Sequence, residues 1–219
     1  SGVYVLFGNG NGTFGPPQHV ARQQVVVAAA DLTGNGRSDI IAGGLTYEFY
    51  VMLGESNRTF GAPIPYSLPF EPNGAPFTVG DLNGDGKPDL VIPCQYCGQL
   101  FSSVVVLLGN GDGTFSPAPN QCGTMPGLCD ATWLSPFAVA IADINGDGIP
   151  DLALTLNQNF DVQILLGKGD GTFSEAGRFG TGAAPLYVVA GHFHDRSDGK
   201  ADLAVGAAGV VSLLINTTQ

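Results

Sequence analysis

Charge is scarce in this chain. Only 12% of its 219 residues are Asp, Glu, Lys or Arg, and eight Lys and Arg stand against 19 acids. The net charge of −11 leaves no basic surface to neutralise phosphates, so neither nucleic acid nor anionic membrane is expected as a partner. No apolar run reaches the ~18 residues of a membrane span, so no membrane insertion is expected. No window carries a helical apolar period with caps at its ends, which argues against helices. Histidine occurs only as His19, His192 and His194. None lies beside a Gly-x-Ser-x-Gly elbow, and there is no His-Glu-x-x-His or phosphate loop, so no catalytic constellation emerges.

What the chain has instead is turn chemistry: 33 Gly and 15 Pro, spread between short apolar runs. The most informative stretch is Asp81-Leu-Asn-Gly-Asp-Gly-Lys-Pro-Asp89. It recurs as Asp143-Ile-Asn-Gly-Asp-Gly-Ile-Pro-Asp151 and, weakened, as Asp31-Leu-Thr-Gly-Asn-Gly-Arg-Ser-Asp39. Each loop places oxygen-bearing side chains at positions one, three, five and nine and glycines at four and six, where a tight turn needs backbone freedom. A hard cation takes about six to eight oxygens, and Ca²⁺ is the cation that this donor set suits. The expected ligands are Asp31, Thr33, Asn35 and Asp39; Asp81, Asn83, Asp85 and Asp89; and Asp143, Asn145, Asp147 and Asp151. The backbone carbonyls of Arg37, Lys87 and Ile149 would supply position seven. About three structural Ca²⁺ ions are therefore expected, with the first loop weakest because Asn35 replaces a carboxylate. An EF-hand is excluded, because the flanks are short and β-branched and no Glu stands at position twelve.

The loops sit inside a larger repeat. Its clearest copy has an apolar strand A over residues 137–143 and the acidic loop. Strand B follows over 151–156, strand C over 161–167, a Lys168-Gly-Asp-Gly-Thr-Phe173 turn, and a weaker strand D over 174–179. The turn returns as Asn9-Gly-Asn-Gly-Thr-Phe14, Glu55-Ser-Asn-Arg-Thr-Phe60 and Asn110-Gly-Asp-Gly-Thr-Phe115, each Phe placed to fill the gap between sheets. The expected class is all-β, a β-propeller of four-stranded antiparallel blades. The whole chain, residues 1–219, reads as one domain, with repeats at about 1–20, 21–70, 71–130, 131–182 and 183–219.

These residues carry a resemblance. Phe60-Gly-Ala-Pro63 and the Asp-x-Asn-x-Asp-Gly-x-x-Asp loops resemble the FG-GAP/VCBS repeat propellers of integrin α-subunit heads and some fungal lectins. The resemblance implies the fold and Ca²⁺ in the loops. It points only loosely to function, since one fold hosts many. Two departures stand out. The fourth A–B loop, residues 191–202, is longer and carries His192 and His194 where Asp and Asn are expected. And the strands total seventeen: the N-terminus adds a C-like and a D-like strand, while the C-terminus stops after strand C. Either the N-terminal segment closes a small ring, or the chain belongs to a larger, for example seven-bladed, propeller. An incomplete ring leaves a route to self-association. The chain opens in the middle of a strand pattern, so a leader or upstream segment is expected to have been removed.

Alternation along a blade puts the A–B and C–D loops on one face and the irregular B–C and D–A loops on the other, where binding is expected. Cys94, Cys97, Cys122 and Cys129 fall on that irregular face. Ca²⁺ implies an extracellular setting, secreted or at the cell surface, in which two disulfides are expected, Cys94–Cys97 with Cys122–Cys129 preferred. A four-cysteine zinc site is the alternative. Trp133, Tyr96, Tyr47 and Phe70 fall in or beside these loops and are the ligand candidates, for a carbohydrate or a protein surface. The expected function is an extracellular, Ca²⁺-stabilised binding or adhesion module, lectin-like where its ligand is a carbohydrate. The alternative is a polysaccharide-acting enzyme of lyase or dehydratase type, or a domain attached to one.

Overall fold

Each B strand starts at an Asp and runs apolar on both sides, and this is the element around which every sheet is built. The computed structural model describes residues 2–22, 26–43, 46–68, 71–72, 74–93, 104–119, 136–194 and 199–217. Seventeen strands are present among them. β1 (Gly2–Val5) and β2 (Gln18–Arg22) form a hairpin. β3 (Val26–Ala30), β4 (Asp39–Gly43), β5 (Glu48–Met52) and β6 (Ile64–Ser67) form the first complete blade. The second is β7 (Thr78–Gly80), β8 (Asp89–Pro93), β9 (Val104–Gly109) and β10 (Phe115–Pro117). The third is β11 (Pro136–Ala142), β12 (Asp151–Leu156), β13 (Asp161–Gly167) and β14 (Phe173–Gly180). β15 (Pro185–Gly191), β16 (Asp202–Ala207) and β17 (Val210–Leu214) form a last sheet of three strands. Every pairing is antiparallel and between consecutive strands.

No strand can be half-polar where blades stack on both of its faces, which is why β4, β8 and β12 are buried along their whole length. Ile40 and Ala42 of β4 face the hairpin, while Ile41 faces the second blade. Leu82, Val91, Val106, Leu152, Leu165 and Phe173 join the second and third blades. Ala153, Val162, Ile164, Val188, Leu203 and Val205 join the third to the last sheet. The turn phenylalanines act as the sequence suggests. Phe115 meets Phe49 and Tyr66 of the first blade at ring-centroid distances of 6.4 and 5.9 Å, and Phe60 stacks on Phe7 of the hairpin at 6.3 Å. Phe49 is fully buried and stacks on Tyr66 at 4.8 Å; its removal would cost about 3–5 kcal/mol.

The all-β propeller architecture with four-stranded blades is thus as expected, and so are the incomplete sheets at both ends. The N-terminal hairpin packs on the first blade. Among the described residues no core cluster joins it to β15–β17. Beside the open edge of β17, where β6, β10 and β14 stand in the complete blades, runs an apolar groove of about 460 Å³ lined by Ile164, Leu166, Phe179, Leu203, Leu214 and Ile215.

Candidate metal loops and binding face

The acidic loops are ordered by their own carboxylates. In the second loop, Asp81 Oδ1 accepts hydrogen bonds from the Gly84 and Asp85 amides (2.8 and 3.2 Å), and its Oδ2 accepts one from Gly86 (2.8 Å). Asn83 Oδ1 accepts from Asp85 N, and Asp85 Oδ1 from Lys87 N. The loop at Asp143 repeats every one of these bonds, and the loop at Asp31 repeats three, from Asn35 N and Gly36 N to Asp31 and from Arg37 N to Asn35 Oδ1. Gly84 and Gly86 hold φ of 73° and 80°, Gly146 and Gly148 both 83°, the left-handed region in which only glycine is unstrained. The backbone amide of Lys87 holds Asp85 below the usual carboxylate range, against some desolvation.

Position nine does a job that the sequence reading missed. Asp39, Asp89 and Asp151 are fully buried. Asp89 accepts from Leu82 N through Oδ2 (2.7 Å) and from Gly109 N, at the end of β9, through Oδ1 (2.8 Å). Asp39 ties Leu32 to Gly54, and Asp151 ties Ile144 to Gly167, in the same way. These aspartates pin the A–B loop to the end of strand C. The signal available in the sequence was Asp202, retained in a fourth loop whose first and third positions are His192 and His194 while Asp198 and Asp202 still fit its end.

Among the described residues no three His, Cys, Asp or Glu side chains converge in metal-ligating geometry. The carboxylate oxygens that would do so are turned onto loop amides. The chemistry of the donor set nevertheless fits a hard cation. An ionised carboxylate offers about four lone pairs, and these amides use two or three of them. Burial, helped by the charges of Asp85 and Asp81, raises the Asp89 carboxyl above its usual range. That is the electrostatics of a site short of positive charge.

In the fourth loop the anchor has a side-chain partner. His192 stands at position one and His194 at position three, in register with Asp143 and Asn145. The His194 Nδ1 lies 2.7 Å from Asp202 Oδ2, which also accepts from the Phe193 and His194 amides. Asp202 Oδ1 accepts from Asn216 N (2.8 Å). Although burial pushes Asp202 up, His194 and these amides bring it down to about 2.

On the opposite face, Tyr47 is exposed in the β4–β5 loop. Phe70, Tyr96, Trp133, Cys94, Cys97, Cys122 and Cys129 lie outside the described residues. The structure adds a residue that sequence reasoning passed over. Phe160 closes the β12–β13 turn, is exposed, and holds a φ of 58°. The matching turn of the last sheet uses Gly209, at 81°. Thr181 clamps Phe160 by donating from both its amide and its hydroxyl to the Phe160 carbonyl (2.8 Å each). A bulky side chain in this region costs about 1–2 kcal/mol, which makes the position a candidate for function rather than packing.

Known proteins place this geometry in context. The family model described as FG-GAP-like repeat matches residues 31–92, 96–154 and 143–205. The chain is 31% identical over 159 residues to a phosphatidylinositol-glycan-specific phospholipase D of Rattus norvegicus; the match takes in 62% of this chain and 18% of that protein. Among solved structures, a lectin of Agrocybe aegerita that recognises non-reducing terminal N-acetylglucosamine has a TM-score of 0.64 at 23% identity, over 99% of this chain and 58% of the lectin. BBS1N, in its complex with ARL6DN, has a TM-score of 0.51 at 9% identity, over 88% of this chain and 54% of that one. The chain thus spans less than two thirds of each of these relatives, and at such identities the two structures testify to the fold alone.

Proposed function

The chain belongs to the FG-GAP-like repeat family, and from that premise we propose that it is an extracellular or cell-surface binding module whose irregular face takes a carbohydrate. The observation that carries this reading is Phe160, an exposed aromatic held in a strained conformation by Thr181 on the face that also presents Tyr47. Aromatic rings stack on sugar faces and lose little entropy in doing so. Kinship of fold with a lectin supports the reading. A protein surface is the second occupant such aromatics suit, and BBS1N is a propeller of this shape in complex with a protein.

On the other face, Asp81, Asn83, Asp85 and Asp89 with the Lys87 carbonyl would hold Ca²⁺, and the loops at Asp31 and Asp143 would do the same. Bound there, the ion neutralises the clustered carboxylates and cross-links loop to strand. Its role is to stiffen the scaffold that presents the opposite face. An extracellular setting suits modules with millimolar-class Ca²⁺ affinity, and would oxidise Cys94, Cys97, Cys122 and Cys129 to two disulfides. The second reading, a domain attached to an enzyme, is favoured by the match to part of a phospholipase.

A glycan array probed with the wild-type chain and with Phe160→Gly separates the readings. Glycine suits φ of 58°, so the variant should keep or slightly raise its melting temperature while losing glycan signal. An array without signal for the wild type, or a Phe160→Gly variant that binds undiminished, contradicts the assignment. Turnover of a polysaccharide or phospholipid substrate by the chain itself would favour the enzymatic reading.

A further inference from the structure

Two corners of the irregular face are built alike, one in the first blade and one in the third. The carbonyl of Tyr47 accepts the amide of Leu68 (2.6 Å), the residue that follows β6. The carbonyl of Phe160 accepts the amide of Thr181 (2.8 Å), the residue that follows β14. Both rings are exposed, at 56% and 53%. Each is followed by the acid that opens strand C, Glu48 in β5 and Asp161 in β13. Counted back from Gly54 and Gly167, whose amides the Asp39 and Asp151 anchors hold, the two pairs fall at the same places. The scaffold does not require an aromatic and an acid there. At the same spacing before Gly109 the sequence has Ser102-Ser103, and the turn before β17 has Gly209.

The two carboxylates keep acceptor capacity to spare. Glu48 is exposed, and its Oε2 accepts the Tyr50 hydroxyl (2.6 Å), which fixes the group and leaves its second oxygen open. Asp161 is half-buried, and among the described residues its carboxylate has no hydrogen-bond or ion-pair partner. Its cross-strand partner is Gly180, which lays no side chain over it; a Cβ there would stand 3.9 Å from Asp161 Oδ1. Gln163 lies on the same side of β13, one step further in. It is 4% exposed, and its Oε1 has no hydrogen-bond partner. A buried acceptor without a donor is costly, so packing alone does not account for the polar character of this side of the strand.

We propose that these corners are two copies of one saccharide subsite; this rests on the carbohydrate reading of the irregular face and narrows it to neutral sugars. The ring of Tyr47 or Phe160 takes the apolar face of a pyranose, and the adjoining carboxylate of Glu48 or Asp161 accepts its hydroxyls. An ionised carboxylate only accepts hydrogen bonds, so it suits hydroxyl donors and repels a uronate or sulfate on the sugar. The net charge of −11 adds to that repulsion. Two equal subsites on one face favour glycans displayed in several copies, because the second contact is then intramolecular.

An array carrying neutral glycans beside uronate- and sulfate-bearing ones, each printed at low and high density, tests this, with melting temperature as the control for folding. The wild-type chain should bind neutral glycans only, and most strongly at high density. Phe160→Gly and Tyr47→Ser should each lose apparent affinity on the order of 10²-fold at high density, and the double variant should lose all signal. Asp161→Asn and Glu48→Gln keep the rings and exchange a charged acceptor for a neutral one, so each should weaken neutral-glycan binding about tenfold. A wild-type chain that binds nothing overturns the carbohydrate reading and the subsites with it. A neutral-glycan signal that falls in Phe160→Gly but is untouched by Tyr47→Ser, Glu48→Gln and Asp161→Asn leaves that reading standing and overturns the paired subsites. A preference for acidic glycans overturns the assignment to neutral sugars.

Discussion

The loops at Asp81 and His192 share one kind of anchor and differ in the side chains that surround it. Both are pinned by a buried carboxylate, Asp89 or Asp202, that takes a backbone amide from the loop and another from the end of strand C. Asp89 is pushed above the usual carboxylate range by burial and by two neighbouring acids. Asp202 is brought to about 2, its burial outweighed by His194 and by amides. The anchor belongs to the blade and is needed everywhere. The head of the loop is what varies: acidic and amide side chains at Asp81, Asn83 and Asp85, and a histidine hydrogen-bonded to the anchor at His194.

Removing Ca²⁺ should have the largest effect on this contrast. An ion at about ten times its dissociation constant contributes ~1.4 kcal/mol, so three loops give roughly 4 kcal/mol, or about 8–16 °C in melting temperature. Chelator should lower the transition by that order in a thermal scan; an unchanged curve would reduce the loops to turns. Next in size is the anchor itself. Asp202→Ala removes the acceptor of the part-buried Phe193, His194 and Asn216 amides, at about 1–3 kcal/mol. The loss should be the same in Ca²⁺ and in chelator, whereas Asp85→Ala should destabilise by ~1.4 kcal/mol in Ca²⁺ and hardly at all in chelator. If Asp202→Ala responds to Ca²⁺ as Asp85→Ala does, the distinction between anchor and head fails.

A smaller effect is set by pH. Asp202 has a folded value of about 2 against an ordinary 3.8, so its contribution is complete above pH ~4 and disappears between there and pH ~2. Asp89 is raised; in chelator its contribution has the opposite sign, and stability on its account rises as pH falls through the raised value. Carboxyl carbon NMR in chelator should give Asp202 a midpoint near 2 and Asp89 one above the ordinary range. His194→Ala should move the Asp202 midpoint upward. Coincident midpoints would remove the contrast. The cysteines make the narrowest prediction: intact-mass labelling should find no free thiol among Cys94, Cys97, Cys122 and Cys129 until reductant is added, while free thiols with stoichiometric zinc would support the metal alternative.

Most of the fold was legible because its punctuation is chemical. An Asp opens every B strand, most C strands end at a Gly and a Thr-Phe pair begins the D side, so strand order and the incomplete end sheets could be read directly. The anchoring role of Asp39, Asp89 and Asp151 was not legible. A carboxylate that anchors amides and one that binds a cation look the same in a motif, and only burial with bond partners separates them. Phe160 was hidden for a related reason: nothing in Asn157-Gln-Asn-Phe160 says that an aromatic will take the left-handed conformation that Gly209 takes in the next sheet. His194 was visible, but its partnership with Asp202 depends on the length of a loop whose path the sequence does not give.

Counting ions tests the central claim most directly. Native mass spectrometry of the chain titrated with Ca²⁺ should reach three ions, the loop at Asp31 filling last, and should fall to two in Asp143→Ala while staying at three in His194→Ala. Four ions, or none, would contradict the proposed division between three cation-binding loops and a fourth held by His194.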